Sequence, residues 1–219
     1  MTYRAVLFDL DGTLLDTLRD LADSTNCVLA EAGFPQHEVE AYRYFVGSGR
    51  WVLASRVLPE GLRDEQTVDK IASQIEEVYS QRWTEHTAPY PGVPELLDAL
   101  TDLGVRTAIL SNKPHQAAEA MVSGLLPRWH FDMVEGERPG TLLKPDPSAA
   151  LEIARRMKIK PGEFLYVGDS ATDMRTAVAA NMYPVGALWG FRTADELLEG
   201  GARTLIQHPA DLLPLLHPL

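Results

Sequence analysis

Three short apolar runs, each followed at once by residues able to bind a ligand, constrain this chain more than any other feature. They lie at residues 4–8, 105–110 and 164–167. Each is brief, partly β-branched and bounded by turn-forming residues, as expected of strands buried on both faces. Weaker runs of the same kind occupy 131–134 and 185–189. Helical patterns lie between them. Leu96, Leu97, Leu100 and Leu103 share one helical face, and Gly104 is a natural stop. Asp146 reads as an N-cap and Pro147 as the first-turn proline of a helix running to Met157. Residues 172–180 read as another short helix. Strands alternating with helices predict an α/β fold built on a parallel sheet.

One segment breaks the alternation. Residues 17–32 read as a helix ended by Gly33, and residues 64–83 as a long amphipathic helix, with no convincing strand between them. Pro89, Pro91 and Gly92 mark the return to alternation. The expected organisation is a core of residues 1–15 and 90–219 carrying a helical insertion of residues 16–89. The chain has 219 residues, 45% of them hydrophobic and 23% charged, enough for a packed core.

Charge and composition exclude several classes. Twenty basic against 31 acidic residues leave a net charge of −11, which argues against nucleic-acid binding, where phosphate contacts dominate affinity. The longest stretch free of Asp, Glu, Lys and Arg, at 176–191, is broken by Asn181, Pro184 and two glycines, so no membrane span is expected. Asp9 and Asp11 interrupt the N-terminal apolar run, and no secretory signal is expected. Cys27 is the single cysteine and cannot form an intramolecular disulfide. These features favour a cytoplasmic location. Oligomeric state is left open.

The chemistry sits at the ends of the runs. Asp9-Leu10-Asp11-Gly12-Thr13-Leu14 follows the first. In extended backbone Asp9 and Asp11 share a side, and two carboxylates there repel unless a cation, proton or substrate separates them. An ordinary Asp-Gly turn fits the same six residues. A calcium loop does not, because its sixth position should be Gly and is Leu14. Ser111-Asn112-Lys113 follows the second run, Gly168-Asp169-Ser170 with Asp173 follows the third, and Lys144-Pro145-Asp146 precedes a helix. Ligands of parallel α/β sheets bind at the carboxyl ends of strands, so Asp9, Ser111 and Asp169 are expected at one edge. Hard oxygen donors suit Mg²⁺. A carboxylate can attack phosphorus, and a second can protonate a leaving oxygen. Lys and Ser can hold phosphoryl oxygens. Together these are the parts of a phosphoryl-transfer site.

In this pattern the chain resembles the haloacid dehalogenase (HAD) superfamily, with its four motifs in order across essentially the whole sequence. The resemblance implies a Rossmann-like core with an inserted α-helical cap. It implies Asp9 as nucleophile, Asp11 as acid/base, and Ser111 and Lys144 on the phosphoryl group. Mg²⁺ would be held by Asp9, Asp169 and the main-chain carbonyl of Asp11, with Asp173 acting through water or as an anchor. Thr13, Asn112 and Lys113, inside the motifs, are expected at the substrate. Within the superfamily, Ser111-Asn112-Lys113-Pro114, Lys144-Pro145-Asp146-Pro147, Trp189-Gly190-Phe191-Arg192 and the turn Val46-Gly47-Ser48-Gly49 are similar to the phosphoglycolate phosphatase group. The implied substrate is a small phosphorylated metabolite, with 2-phosphoglycolate leading. Phosphomutases, sugar phosphatases and pyrophosphatases share several of these marks. A non-enzymatic binding scaffold is opposed by the intact set of Asp9, Asp11, Ser111, Lys144 and Asp169.

Gly47, Ser48 and Arg50 are the insertion residues expected to meet the leaving group. Gly47-Ser48-Gly49 is not a dinucleotide fingerprint, since Val52 stands at the sixth position. Cys27 is expected to pack, His115 to be solvated, and Glu76-Glu77 to form a solvated helix face.

Overall fold

The computed structural model describes residues 3–216. The first strand, β1 (Ala5–Phe8), is followed by a two-residue strand, β2 (Leu15–Asp16), and then by helices only: α1 (Leu18–Glu31), α2 (Tyr42–Phe45), α3 (Arg50–Val57) and α4 (Glu65–Arg82), with two short 3₁₀ turns among them. The chain returns through β3 (Ala88–Pro89). Alternation then resumes with α5 (Val93–Asp102), β4 (Arg106–Pro114), α6 (His115–Leu125), β5 (Met133–Glu137) and α7 (Ser148–Met157). It ends with β6 (Phe164–Gly168), α8 (Ala171–Ala179), β7 (Tyr183–Ala187), α9 (Ala194–Gly200), β8 (Thr204–Ile206) and a last short helical turn.

Six strands form one parallel sheet in the order β5-β4-β1-β6-β7-β8. β1 lies between β4 and β6, with Phe8 beside Ile109 and Val167. Its side chains alternate between two cores: Val6 and Phe8 face one, Ala5 and Leu7 the other. Burial on both faces explains why β1 reads as a continuous apolar run. The chain crosses from β1 to partners on either side, so the carboxyl end of β1 is a switch point where a crevice opens.

The helical insertion packs mainly on itself. α1 and α3 both pack on α4, which buries Val68, Ile71, Ala72, Ile75 and Tyr79 on one face. Asp64 caps α4 by accepting the Thr67 N–H at 3.0 Å. The antiparallel ribbon β2–β3, with Leu15 beside Pro89 and Asp16 beside Ala88, marks where the chain leaves the core and returns.

Several expectations shift. β4 continues through Ser111, Asn112 and Lys113, with its register to β5 broken between Leu110 and Pro114, so these residues lie in the strand rather than after it. α7 begins at Ser148 with Pro147 at the N-cap. Asp146 stands one residue outside and accepts the Ser148 N–H at 2.9 Å. β7 starts at Tyr183 and includes Pro184. The edge strand β8 was not anticipated. Among the described residues, no helix is long and apolar enough to cross a membrane.

Candidate active site

The site begins where β1 stops. The Asp9 N–H still bonds across the sheet to the Val167 carbonyl at 2.9 Å. The chain then turns sharply, with the Leu10 carbonyl accepting from Leu14 and Leu15, each at 3.0 Å. Gly12 makes the turn with φ +84°, and a Cβ there would lie 2.2 Å from Asp169 Oδ2. Backbone conformation and space therefore both demand glycine.

Asp9 is buried, with 7% relative exposure. Its Oδ1 accepts from Lys144 Nζ at 2.7 Å. The same ammonium donates to Asp173 Oδ1 at 2.7 Å and to the Leu110 carbonyl at 3.0 Å. Asp169, at the end of β6, accepts the Phe191 N–H on Oδ2 at 2.7 Å. Carboxylate oxygens of Asp9, Asp169 and Asp173 lie within 4.8 Å of one another.

Charge within this cluster is unbalanced. Burial raises Asp9 well above the ordinary carboxylate range; Asp173 and Asp169 add to the rise and Lys144 opposes it. Burial, then Asp173, raises Asp169 to about 7, against the Phe191 hydrogen bond. Burial lowers Lys144, but Asp173 and Asp9 outweigh it and hold the ammonium well above its ordinary value. Three buried carboxylates around one ammonium leave negative charge that a cation would offset. The all-oxygen donor set fits a hard divalent ion such as Mg²⁺. Asp173 has its other oxygen bound by the Ser170 N–H and hydroxyl, so it anchors Lys144 and the start of α8.

Asp11 lies apart from this cluster and lines the cleft, 3.2 Å from Lys113 Nζ. Lys113 also donates to the hydroxyl of Tyr79, on α4, at 3.3 Å. Ser111 is buried, and its Oγ accepts the Lys113 N–H at 3.2 Å. The Asn112 amide ties three segments together. It donates to the Gly47 and Lys144 carbonyls at 3.2 and 3.1 Å and accepts the Lys144 N–H at 2.8 Å. Thr13 is fully buried beneath the turn, and its carbonyl accepts from Trp189 Nε1 at 2.9 Å.

A cleft of about 720 Å³ opens between the core and the insertion, with Asp9, Asp11 and Lys144 among its lining. Gly47, Gly49 and Arg50 also line it, whereas Ser48 is half-buried and Thr13 and Ser111 lie off its wall. Arg50 starts α3 and pairs with Glu76 Oε2 at 2.7 Å. Glu76 and Glu77 are exposed as expected, but Glu76 faces the cleft. His115 differs from expectation. It is not solvated, since Nδ1 accepts the Gly136 N–H at 3.3 Å and Nε2 meets Arg138 and Glu119. Cys27 is half-buried and free.

Residue-type reasoning missed Tyr79, which looks like any core residue on an apolar helix face. It also missed the role of the 189–192 segment. Phe191 holds Asp169, the Gly190 carbonyl accepts from Arg43 at 2.9 Å, and Arg192 donates to the Val46 carbonyl at 3.1 Å. The motif itself was visible in sequence.

The chain is similar to several known proteins. A phosphoglycolate phosphatase of Pseudomonas putida is 35% identical over 191 residues, covering 86% of this chain and 70% of that protein. A crystal structure from Lactobacillus delbrueckii subsp. bulgaricus, described as a candidate phosphoglycolate phosphatase, matches with a TM-score of 0.93 and 29% identity across the full length of both chains. Another, from Haemophilus somnus, matches with a TM-score of 0.91 and 25% identity over 99% of each. The family model for haloacid dehalogenase-like hydrolases spans residues 6–187, from β1 through β7. That span takes in every acidic residue of the buried cluster and both sides of the cleft, and the chain belongs to the haloacid dehalogenase-like hydrolases.

Proposed function

We propose that the protein is a Mg²⁺-dependent phosphatase of small phosphate monoesters that works through an aspartyl-phosphate on Asp9, with 2-phosphoglycolate as its leading substrate. One observation carries the mechanism. Two carboxylates two residues apart open on one cleft in unlike settings, Asp9 held by Lys144 at 2.7 Å and Asp11 beside Lys113 at 3.2 Å. The names of the relatives support the substrate.

In the first half-reaction an Asp9 oxygen bonds to phosphorus as the bond to the leaving alkoxide breaks. Asp11 gives that oxygen its proton. In the second, Asp11 takes a proton from water, the water oxygen bonds to phosphorus, and the Asp9 carboxylate is released with inorganic phosphate. Lys144 holds Asp9 in line and offsets charge on the phosphoryl oxygens, and Ser111 completes that cradle. Asp9, Asp169 and the main-chain carbonyl of Asp11 would hold Mg²⁺, with Asp173 as anchor. When bound, the ion offsets repulsion between the Asp9 carboxylate and a phosphate dianion.

We assign residues 1–15 and 90–219 to the core and 16–89 to the cap. The core handles the phosphoryl group common to all substrates, and the cap meets the leaving group and excludes water. That Gly47 and Arg50 line the cleft supports this role for them. Asn112, whose amide is already engaged, acts on substrate through the cap turn it holds. The single cysteine and acidic balance support a cytoplasmic setting.

The test is phosphate release from 2-phosphoglycolate, a sugar phosphate, pyrophosphate and an aryl phosphate, ranked by kcat/KM with Mg²⁺ and in excess chelator. Metal-dependent release with phosphoglycolate ranked first is the expected result. Interconversion of sugar phosphates without phosphate release would point to a mutase. Full activity in chelator would remove the metal.

A further inference from the structure

The cleft above Asp9 has two unlike walls. On one, each cation already has a partner: Arg50 with Glu76, Arg138 with Glu135, Lys113 with Asp11. Glu137, at the end of β5, adds a carboxylate whose Oε2 is buried without a hydrogen-bond partner. A second anionic group on a substrate, such as the glycolate carboxylate, would have to draw Arg50, Lys113 or Arg138 away from its acidic partner.

The other wall is apolar. Ile75, Tyr79 and Trp83 of α4 and its C-terminal end face Ala117, Ala120 and Met121 of α6 across a slot continuous with the catalytic floor. Apart from the exposed Gln116 amide and the Trp83 indole N–H, the polar side-chain atoms along the slot are committed elsewhere. The Tyr79 hydroxyl meets Lys113 and Met121, and the Ser80 hydroxyl donates to the Glu77 carbonyl at 2.7 Å. A polar tail lying there would meet only the Gln116 amide and the Trp83 N–H and lose most of its water without replacement. A two-carbon leaving group also leaves most of the roughly 720 Å³ cleft unfilled, a size that accommodates much larger ligands.

We propose that the slot between α4 and α6 is a subsite for an apolar tail on the leaving group, an alkyl or aryl chain attached to the ester oxygen. The proposal rests on the phosphomonoesterase reading of the same site and widens its substrate class beyond glycolate.

A series of n-alkylphosphonates, ethyl to hexyl, separates binding in the slot from turnover. Calorimetric titration of the full chain with Mg²⁺ present should show Kd falling about two- to four-fold per added methylene, as expected for taking a CH₂ out of water. The heat-capacity change should grow more negative with chain length. Ala117→Leu and Ala120→Leu, both conservative for a helix, fill the slot and should flatten the slope. The slope is a ratio within each variant, so a loss common to all ligands cancels. A Kd independent of chain length, absence of binding across the series, or a slope surviving in both variants would overturn the subsite. Ethyl phosphate hydrolysis, followed in parallel, addresses the phosphatase reading separately. A chain-length slope without hydrolysis supports the subsite and retracts that reading alone.

Discussion

Asp20 on α1 is the residue through which the insertion grips its own return strand, and removing its side chain should cost several kcal/mol. The carboxylate is fully buried at its side chain and accepts four hydrogen bonds. Oδ2 takes the His86 N–H at 3.0 Å, the Thr87 N–H at 2.8 Å and the Thr87 hydroxyl at 2.8 Å, and Oδ1 takes His86 Nδ1 at 2.8 Å. Thr87 directly precedes β3, so the cluster fixes where the chain re-enters the core. Asp20→Ala strands the N–H of buried Thr87, at about 1–3 kcal/mol, while that of exposed His86 can turn to water. Adding the lost charge-assisted bonds gives a loss of about 4 kcal/mol, equivalent to a fall in Tm of about 8–16 °C for a chain of this size. Asp20→Asn keeps one oxygen for the Oδ2 bonds but loses their charge assistance, and should cost about half as much.

The pH dependence has a definite sign. Burial raises the Asp20 carboxyl, but the bonds from His86 and Thr87 outweigh it and hold it below its ordinary value. A depressed folded pKa gives stability that is present above the unfolded value, about 3.9, and lost as pH falls through the folded value. Urea unfolding of wild type and both variants at pH 7 and again below pH 4 measures this, with constant m-values as the control. The gap between wild type and Asp20→Asn should narrow in acid. A cost below about 1 kcal/mol for Asp20→Ala, in the range of an ordinary surface substitution, would refute the reasoning. So would a gap that does not change with pH.

Asp11→Asn should slow the first half-reaction of an alkyl phosphate by about 10²–10⁴-fold and that of an aryl phosphate much less, as single-turnover rates will show. Gly190→Ala sets a Cβ 2.3 Å from Asp169 Cβ and 2.4 Å from the Gly12 carbonyl. It should displace Phe191 from Asp169 and weaken Mg²⁺ binding at least ten-fold by titration calorimetry. Ser48→Ala, off the cleft wall, should leave the ranking of phosphate esters intact. Arg50→Ala, which frees Glu76 at the cleft, should reorder it, and the two kcat/KM panels decide.

The legible part of the molecule was the part buried on both sides. β1, β4 and β6 announce themselves because a central strand has no solvent face to interrupt its apolar run. Asp9, Ser111 and Asp169 stand out because polar residues end those runs abruptly. Lys144 was legible only through its motif, since its contacts with Asp9 and Asp173 join residues far apart in sequence. β2, β3 and β8 escaped because two or three residues carry no period. Ser111 to Lys113 read as a loop because their polarity hid a strand whose pairing with β5 skips them and resumes at Pro114. Tyr79 was invisible because its ring packs as core while its hydroxyl reaches Lys113. Asn112 was assigned to substrate by its motif, yet its amide is occupied by the backbone of Gly47 and Lys144.

The central claim is that Asp9 carries the phosphoryl group between two half-reactions. Mixing the enzyme with Mg²⁺ and substrate labelled in its phosphoryl group, quenching in acid within the first turnover, and mapping the label by peptide mass spectrometry tests it directly. The account predicts transient label on the peptide containing Asp9, localised to that carboxylate and absent in Asp9→Asn. Turnover with no labelled protein at any quench time, or label on another side chain, would contradict it.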